Sequence, residues 1–125
     1  MSLIAALYAR VSTPNQEEEA TIDSQVAAIE SYIQKQGYKL ASEFYFLDKA
    51  VTGARLERPA LDKLRHLAAD GAFSVLVCYS PDRLARNYPH QWVVMDELQR
   101  QGVRVEFVNQ PDFGDNPQAQ LLLGV

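Results

Sequence analysis

A single cysteine, Cys78, stands in the whole chain. One thiol excludes a disulfide framework and any multi-cysteine metal site. It lies in an apolar run and reads as a small core residue. Histidine is scarce too. His66 reads as a helix-surface residue and His90 as a helix-start residue, and no Ser-His-Asp arrangement is apparent. Positive charge is in deficit: 12 Lys and Arg against 16 Asp and Glu leave a net charge of −4. That argues against a protein that grips nucleic acid by bulk charge, though it leaves room for a local arginine cluster. No apolar stretch reaches membrane-spanning length and no basic-then-apolar leader precedes the first apolar run, so cytoplasmic residence without a membrane partner is expected. A Walker A loop and a GxGxxG fingerprint are both missing, so no bound nucleotide is indicated. The aspartates are scattered among competing cations, which makes a metal site a poor expectation.

What is there describes one domain. The 125 residues are 47% hydrophobic, enough for a real core. A chain of this size buries roughly two thirds of the surface that its unfolded form exposes. "LIAALYA" (3–9) is a continuous apolar run, as expected for a strand covered on both faces. "TPNQEEEAT" reads as a polar loop. Ile22, Val26, Ile29 and Ile33 then recur at helical spacing, with Thr21 or Asp23 as cap and Gly37 as stop. "LASEFYFLD" (40–48) reads as a second strand. Pro59 opens a second helix that carries Leu61, Leu64, Leu67 and Ala68 on one side and stops at Gly71. "FSVLVCY" (73–79) is a third strand. A helix from about Pro89 turns Trp92, Met95 and Leu98 inward and ends at Gly102. "VRVEFVN" (103–109) is a fourth strand, and "QAQLLLGV" starts a last helix. This alternation implies an α/β domain: a mostly parallel sheet with helices on both faces, hence three layers. The apolar end, "LLLGV", suggests that the chain stops inside a helix of a longer protein.

In a parallel α/β sheet, ligands bind outside the carboxyl ends of the strands. Arg10 and Ser12 follow the first strand. Asp48 and Lys49 follow the second, with Arg55 and Arg58 beyond. Asp82, Arg83 and Arg86 follow the third. Five of the eight arginines thus fall to one sheet edge. The guanidinium fork suits phosphate better than an ammonium does. Tyr8, Arg10 and Ser12 share one side while the chain stays extended. Each also has a plain structural reading: a half-buried aromatic, a surface cation, a turn residue. In "SPDRLAR" (80–86), Arg83 and Arg86 are three apart and share a face on a helical turn. The plain alternative there is a solvated pair with Asp82 capping or in an ion pair. Together the residues suggest phosphoryl transfer to a serine, in which positioning and charge stabilisation do most of the catalysis.

The chain resembles the catalytic domain of the serine site-specific recombinases, the resolvase/invertase group. The resemblance rests on "YARVST" (8–13), Gln25, "LDKAVTG" (47–53), Arg58 before "PAL", "CYSPDRLAR" (78–86), "GVRVEFVN" (102–109) and "NPQAQLLLGV" (116–125), in order over nearly the whole chain. It implies a resolvase-like domain over residues 1–125, with the last, dimerising helix truncated and the DNA-binding domain elsewhere in the longer protein. It also implies a covalent link between a serine and a DNA 5′ phosphate, strand exchange, and rejoining. By this resemblance Ser12 is the nucleophile. Arg10, Arg83 and Arg86 surround the scissile phosphate, and Asp82 gives or takes the proton. Tyr8, Gln25, Asp48 and Arg58 support the site. The implied partners are a double-stranded recombination site and further copies of the protein, as dimer and tetramer. The reaction conserves bond energy and implies no cofactor. A bacterial or mobile-element source follows. "EEEAT", read as a lengthened loop, favours a large serine recombinase or a transposon-type relative.

Three rivals remain at this point. A flavodoxin-like signalling receiver needs an acidic cluster where this edge is rich in arginine. An inactive DNA-associated module of the same fold is disfavoured by the intact Ser12, Arg10, Arg83 and Arg86. A phosphatase would want a Cys-x5-Arg loop, which is missing.

Overall fold

Strand β1 (Ile4–Arg10) is buried from its second residue to its last, Arg10 included. The computed structural model describes residues 3–11, 16–49, 59–85 and 88–110. Along them follow α1 (Gln16–Gln36), β2 (Lys39–Asp48), α2 (Pro59–Ala69), β3 (Val75–Cys78), α3 (Pro81–Leu84), α4 (Tyr88–Arg100) and β4 (Arg104–Phe107). The described strands form one sheet in the order β2-β1-β3-β4. Every neighbouring pair is parallel. β1 and β3, the two central strands, are the most completely buried, as continuous apolar runs should be in a parallel sheet.

Strand periodicity divides the core in two. Ala6, Tyr8, Phe46, Leu76, Cys78, Val105 and Phe107 face Leu61 and Leu64 of α2 and Trp92, Met95 and Leu98 of α4. Ala5, Leu7, Ala9, Val75 and Val77 face Ile22, Ile29 and Ile33 of α1. Helices therefore cover both faces, and Cys78 is a buried core thiol. Gly37 and Gly102 follow α1 and α4 at φ +76° and +82°, a region open to glycine at little steric cost. That turn lets Tyr38 N–H return to Ile33 O at 3.1 Å and Val103 N–H to Leu98 O at 2.9 Å, closing each helix.

The elements differ from the sequence expectations in instructive places. "QEEEAT" is helix, since α1 starts at Gln16, and neither Thr21 nor Asp23 is its cap. Glutamine, glutamate and alanine are good helix formers, and glutamates are favoured at the positive end of the helix dipole. The lengthened loop inferred from these residues is thus extra helix. β3 and β4 are each four residues long, shorter than the apolar runs that contain them. Their flanks stay paired all the same: Val108 N–H reaches Cys78 O and Asn109 N–H reaches Tyr79 O, both at 3.0 Å. β2 advances from Leu40 to Tyr45 while β1 advances only from Ala5 to Leu7, so this edge strand is bulged. The helix expected at 118–125 lies outside the described residues.

Candidate active site

The sheet order gives the site its address. Connections leave β1 toward β2 on one side, while β3 lies on the other, so the order reverses between β1 and β3. The crevice outside the carboxyl ends of two such strands is where open α/β sheets bind ligands. Arg10 is the last residue of β1, and α3, with Asp82 and Arg83, follows two residues after β3.

These two segments grip each other. Arg10 is 4% exposed. Its Nη2 donates to Asp82 O at 2.8 Å and its Nε to Arg83 O at 3.2 Å. Arg83 answers from the other side, with Nη1 3.4 Å from Arg10 O. Gln25 of α1 completes the clamp. Its Nε2 donates to Arg10 O at 3.1 Å and its Oε1 accepts from Arg10 N–H at 3.4 Å. The buried amide of Gln25 thus pairs with the main chain of Arg10 as a neighbouring strand would. Two arginines from sequence-distant segments are thus each fixed to the other segment's main chain, Arg10 buried and Arg83 partly exposed. Among the described residues, Arg83 Nε is buried without a hydrogen-bond partner, 3.8 Å from Asp82 Oδ2.

Asp82 projects outward with its side chain 62% exposed, and its Oδ1 accepts from the Ser80 hydroxyl. Asp48 is turned inward. It is 2% exposed, and three donors satisfy its carboxylate: Tyr8 Oη at 2.7 Å, Ala60 N–H at 2.8 Å and Leu61 N–H at 3.2 Å. It therefore caps the first turn of α2 from the end of β2. Tyr8 is fully buried and reaches the site region through Asp48 rather than by an exposed phenol. Tyr8 and Arg10 both turn to the α3 side of the sheet, as strand periodicity requires.

The structure brings Arg10, Gln25, Asp82 and Arg83 together, and joins Tyr8 to Asp48 beside them. Ser12, Arg58 and Arg86 lie outside the described residues, as does Arg55. One expectation changes: α3 is a four-residue turn, and Ala85 after it is extended at φ −155°, ψ 148°. The helical turn that carries Arg83 thus ends at Leu84. Sequence reasoning missed the main-chain carbonyls of Asp82 and Arg83, which hold Arg10. It also missed Gln91, whose Nε2 donates to Ala85 O at 3.0 Å. The first carries no side-chain signal. The second left a faint one, an amide on an otherwise apolar helix stripe.

Comparison with known proteins bears on the fold and the family. Residues 5–125 match the family model "Resolvase, N terminal domain". The chain is 39% identical over 121 residues to a putative DNA recombinase of Bacillus subtilis (strain 168), covering 96% of this chain and 23% of the relative. It is 34% identical over 121 residues to the transposon Tn21 resolvase of Escherichia coli, covering 94% of this chain and 55% of the relative. The chain thus spans about a quarter and about half of these two relatives. The N-terminal catalytic domain of TP901-1 integrase superposes with a TM-score of 0.80 at 29% identity, covering 96% of this chain and 88% of that one. A parallel sheet flanked by helices, a clamped arginine pair at its switch point and a family match over nearly every residue lead to one assignment: the chain belongs to the resolvase family of serine recombinases.

Proposed function

We propose that residues 1–125 are the catalytic domain of a longer protein that cuts, exchanges and rejoins DNA strands at a specific site. In the cleavage step Ser12 Oγ attacks the scissile phosphorus. An O–P bond forms to the serine and the P–O3′ bond breaks. The serine proton is removed, and the departing 3′ oxygen takes one up. Asp82, exposed at the rim, is the group suited to carry it. The product is a 5′-phosphoserine ester and a free 3′ hydroxyl. Rejoining is the reverse attack by a 3′ hydroxyl from another strand, so no energy source is consumed.

Arg10 and Arg83, joined by Arg86, hold the phosphate and stabilise its growing charge. Gln25 fixes the main chain of Arg10. Asp48, Tyr8 and Arg58 support the pocket. Double-stranded DNA is the substrate, and strand exchange calls for dimers that pair as tetramers. A DNA-binding region elsewhere in the longer protein accounts for a catalytic domain with a net charge of −4. DNA as substrate makes the cytoplasm the working compartment. The observation that carries this reading is the reciprocal clamp of Arg10 and Arg83 at the end of the strand that leads to Ser12.

The test uses the full-length protein on DNA that it cleaves. Ser12→Ala is expected to abolish the covalent protein–DNA adduct while leaving DNA binding unchanged. An adduct that persists in Ser12→Ala removes this serine from the mechanism.

A further inference from the structure

A helix of four residues has no stability of its own. The orientation of α3 is therefore set by whatever grips it. Pro81 and Leu84 are buried beneath it. Arg10 grips its carbonyls from β1. Its C-terminal side is held from another helix. Gln91 of α4 is 7% exposed, and its Nε2 donates to Ala85 O at 3.0 Å. Ala85 N–H in turn donates to Pro81 O at 3.2 Å. Both main-chain groups of Ala85 are thus engaged.

The position of Gln91 makes this contact informative. Residues 91, 95 and 98 form one stripe of α4 by helical spacing. Met95 and Leu98 on that stripe are fully buried. A methionine would fill position 91 with nearly the same shape. An amide there must be taken out of water, which is costly unless a partner receives it. The Ala85 carbonyl is that partner, and it fixes which end of the amide is the donor.

We infer that Gln91 is a positioning residue for DNA cleavage. It holds α3 at the angle at which the Asp82 and Arg83 carbonyls receive Arg10 and the Arg83 guanidinium reaches back to β1. The inference rests on the reading that Arg10 and Arg83 bind the scissile phosphate. Gln91 itself touches no reacting atom; it acts through α3.

The test uses the full-length protein on a duplex with which the wild type forms its covalent adduct. Gln91→Met is expected to slow adduct formation about tenfold while DNA affinity stays within about twofold, because sub-ångström misplacement of charge affects the transition state first. Arg83→Ala is made alongside, together with the double variant. If Gln91 acts through α3, the double variant is slower than Arg83→Ala by clearly less than tenfold, the remainder being the share that runs through the carbonyls holding Arg10. Multiplying effects would mean that Gln91 contributes only general stability, and would overturn the inference. So would Gln91→Met at the wild-type rate while Arg83→Ala is slow, with the phosphate reading intact. Arg83→Ala at the wild-type rate would instead overturn the phosphate reading. Gln91→Glu guards against a misfolded methionine variant. Its protonated acid can still donate to the Ala85 carbonyl, whereas its carboxylate repels it. Relative to wild type at each pH, its rate should recover as pH falls from about 8 to about 6. A flat ratio would contradict the inference.

Discussion

Arg10 shows what one residue does when its strand ends at a site. Burying a guanidinium is costly, and two main-chain carbonyls offset part of that cost while aiming the planar fork. A lysine at this position keeps the charge but cannot span both carbonyls. Arg10→Lys is therefore expected to depress strand cleavage more than tenfold, equivalent to over about 1.4 kcal/mol of transition-state stabilisation. Single-turnover adduct formation measures this. Asp48 is the structural counterpart. It holds the Tyr8 hydroxyl and two amides of α2. Asp48→Ala removes a helix cap and leaves a buried phenol without its acceptor, at a combined cost of about 2–4 kcal/mol. Urea denaturation should register that loss even in the absence of DNA. Asp48 and Arg10 look alike in the sequence, as charged residues at strand ends. Both are buried, and their partners separate them: Asp48 holds the start of α2, whereas Arg10 holds the carbonyls of α3.

At the scale of elements, two polar ties join elements distant in sequence. Tyr32 and Tyr38, in and just after α1, donate to the buried Glu106 of β4 at 2.7 and 2.8 Å, and Arg104 Nε lies 3.0 Å from the same carboxylate. Burial foremost, then the bond to Glu106, raises both phenol pKa values above the usual tyrosine range. The neutral phenols stabilise the folded state, and their contribution persists up to the ordinary tyrosine pKa of about 10 and fades as pH climbs through the raised values. Tyr38→Phe should cost about 1 kcal/mol at neutral pH, with the gap to wild type closing in strong alkali. On the other face, Arg65 of α2 grips Glu97 of α4 in a bidentate pair at 2.6 and 2.7 Å. The hydrogen bond from Arg65 holds the Glu97 carboxyl below the usual glutamate range. Its contribution is present above about pH 4.3 and is lost as pH falls through the depressed value. Both partners are partly exposed, so Glu97→Gln should cost no more than about 1 kcal/mol near pH 7, and less in acid. Thermal melts across the pH range measure both ties. Neither tie was legible in the sequence. Glu106 sits in an apolar run and its tyrosine partners are some seventy residues away, a pairing that periodicity does not encode.

For the molecule as a whole, the sheet was legible because buried parallel strands are continuous apolar runs punctuated by glycine and proline. The meeting of Arg10 and Arg83 at one edge was legible because parallel strands send every following loop to the same side. What could not be read was the joinery: which carbonyls receive Arg10, where α1 begins, and that the turn after β3 ends before residue 86. These depend on main-chain atoms, which every residue shares. Among the described residues no helix is long and apolar enough to cross a membrane, and the sheet's switch point is where chemistry is best placed. The most direct measurement is the chemical identity of the protein–DNA linkage. The full-length protein is trapped on a duplex that it cleaves, digested with protease and nuclease, and analysed by mass spectrometry. The account expects a nucleotide 5′ phosphate esterified to Ser12 and a 3′ hydroxyl on the released strand. A link to any other side chain, or a 3′-phosphate linkage, would contradict it.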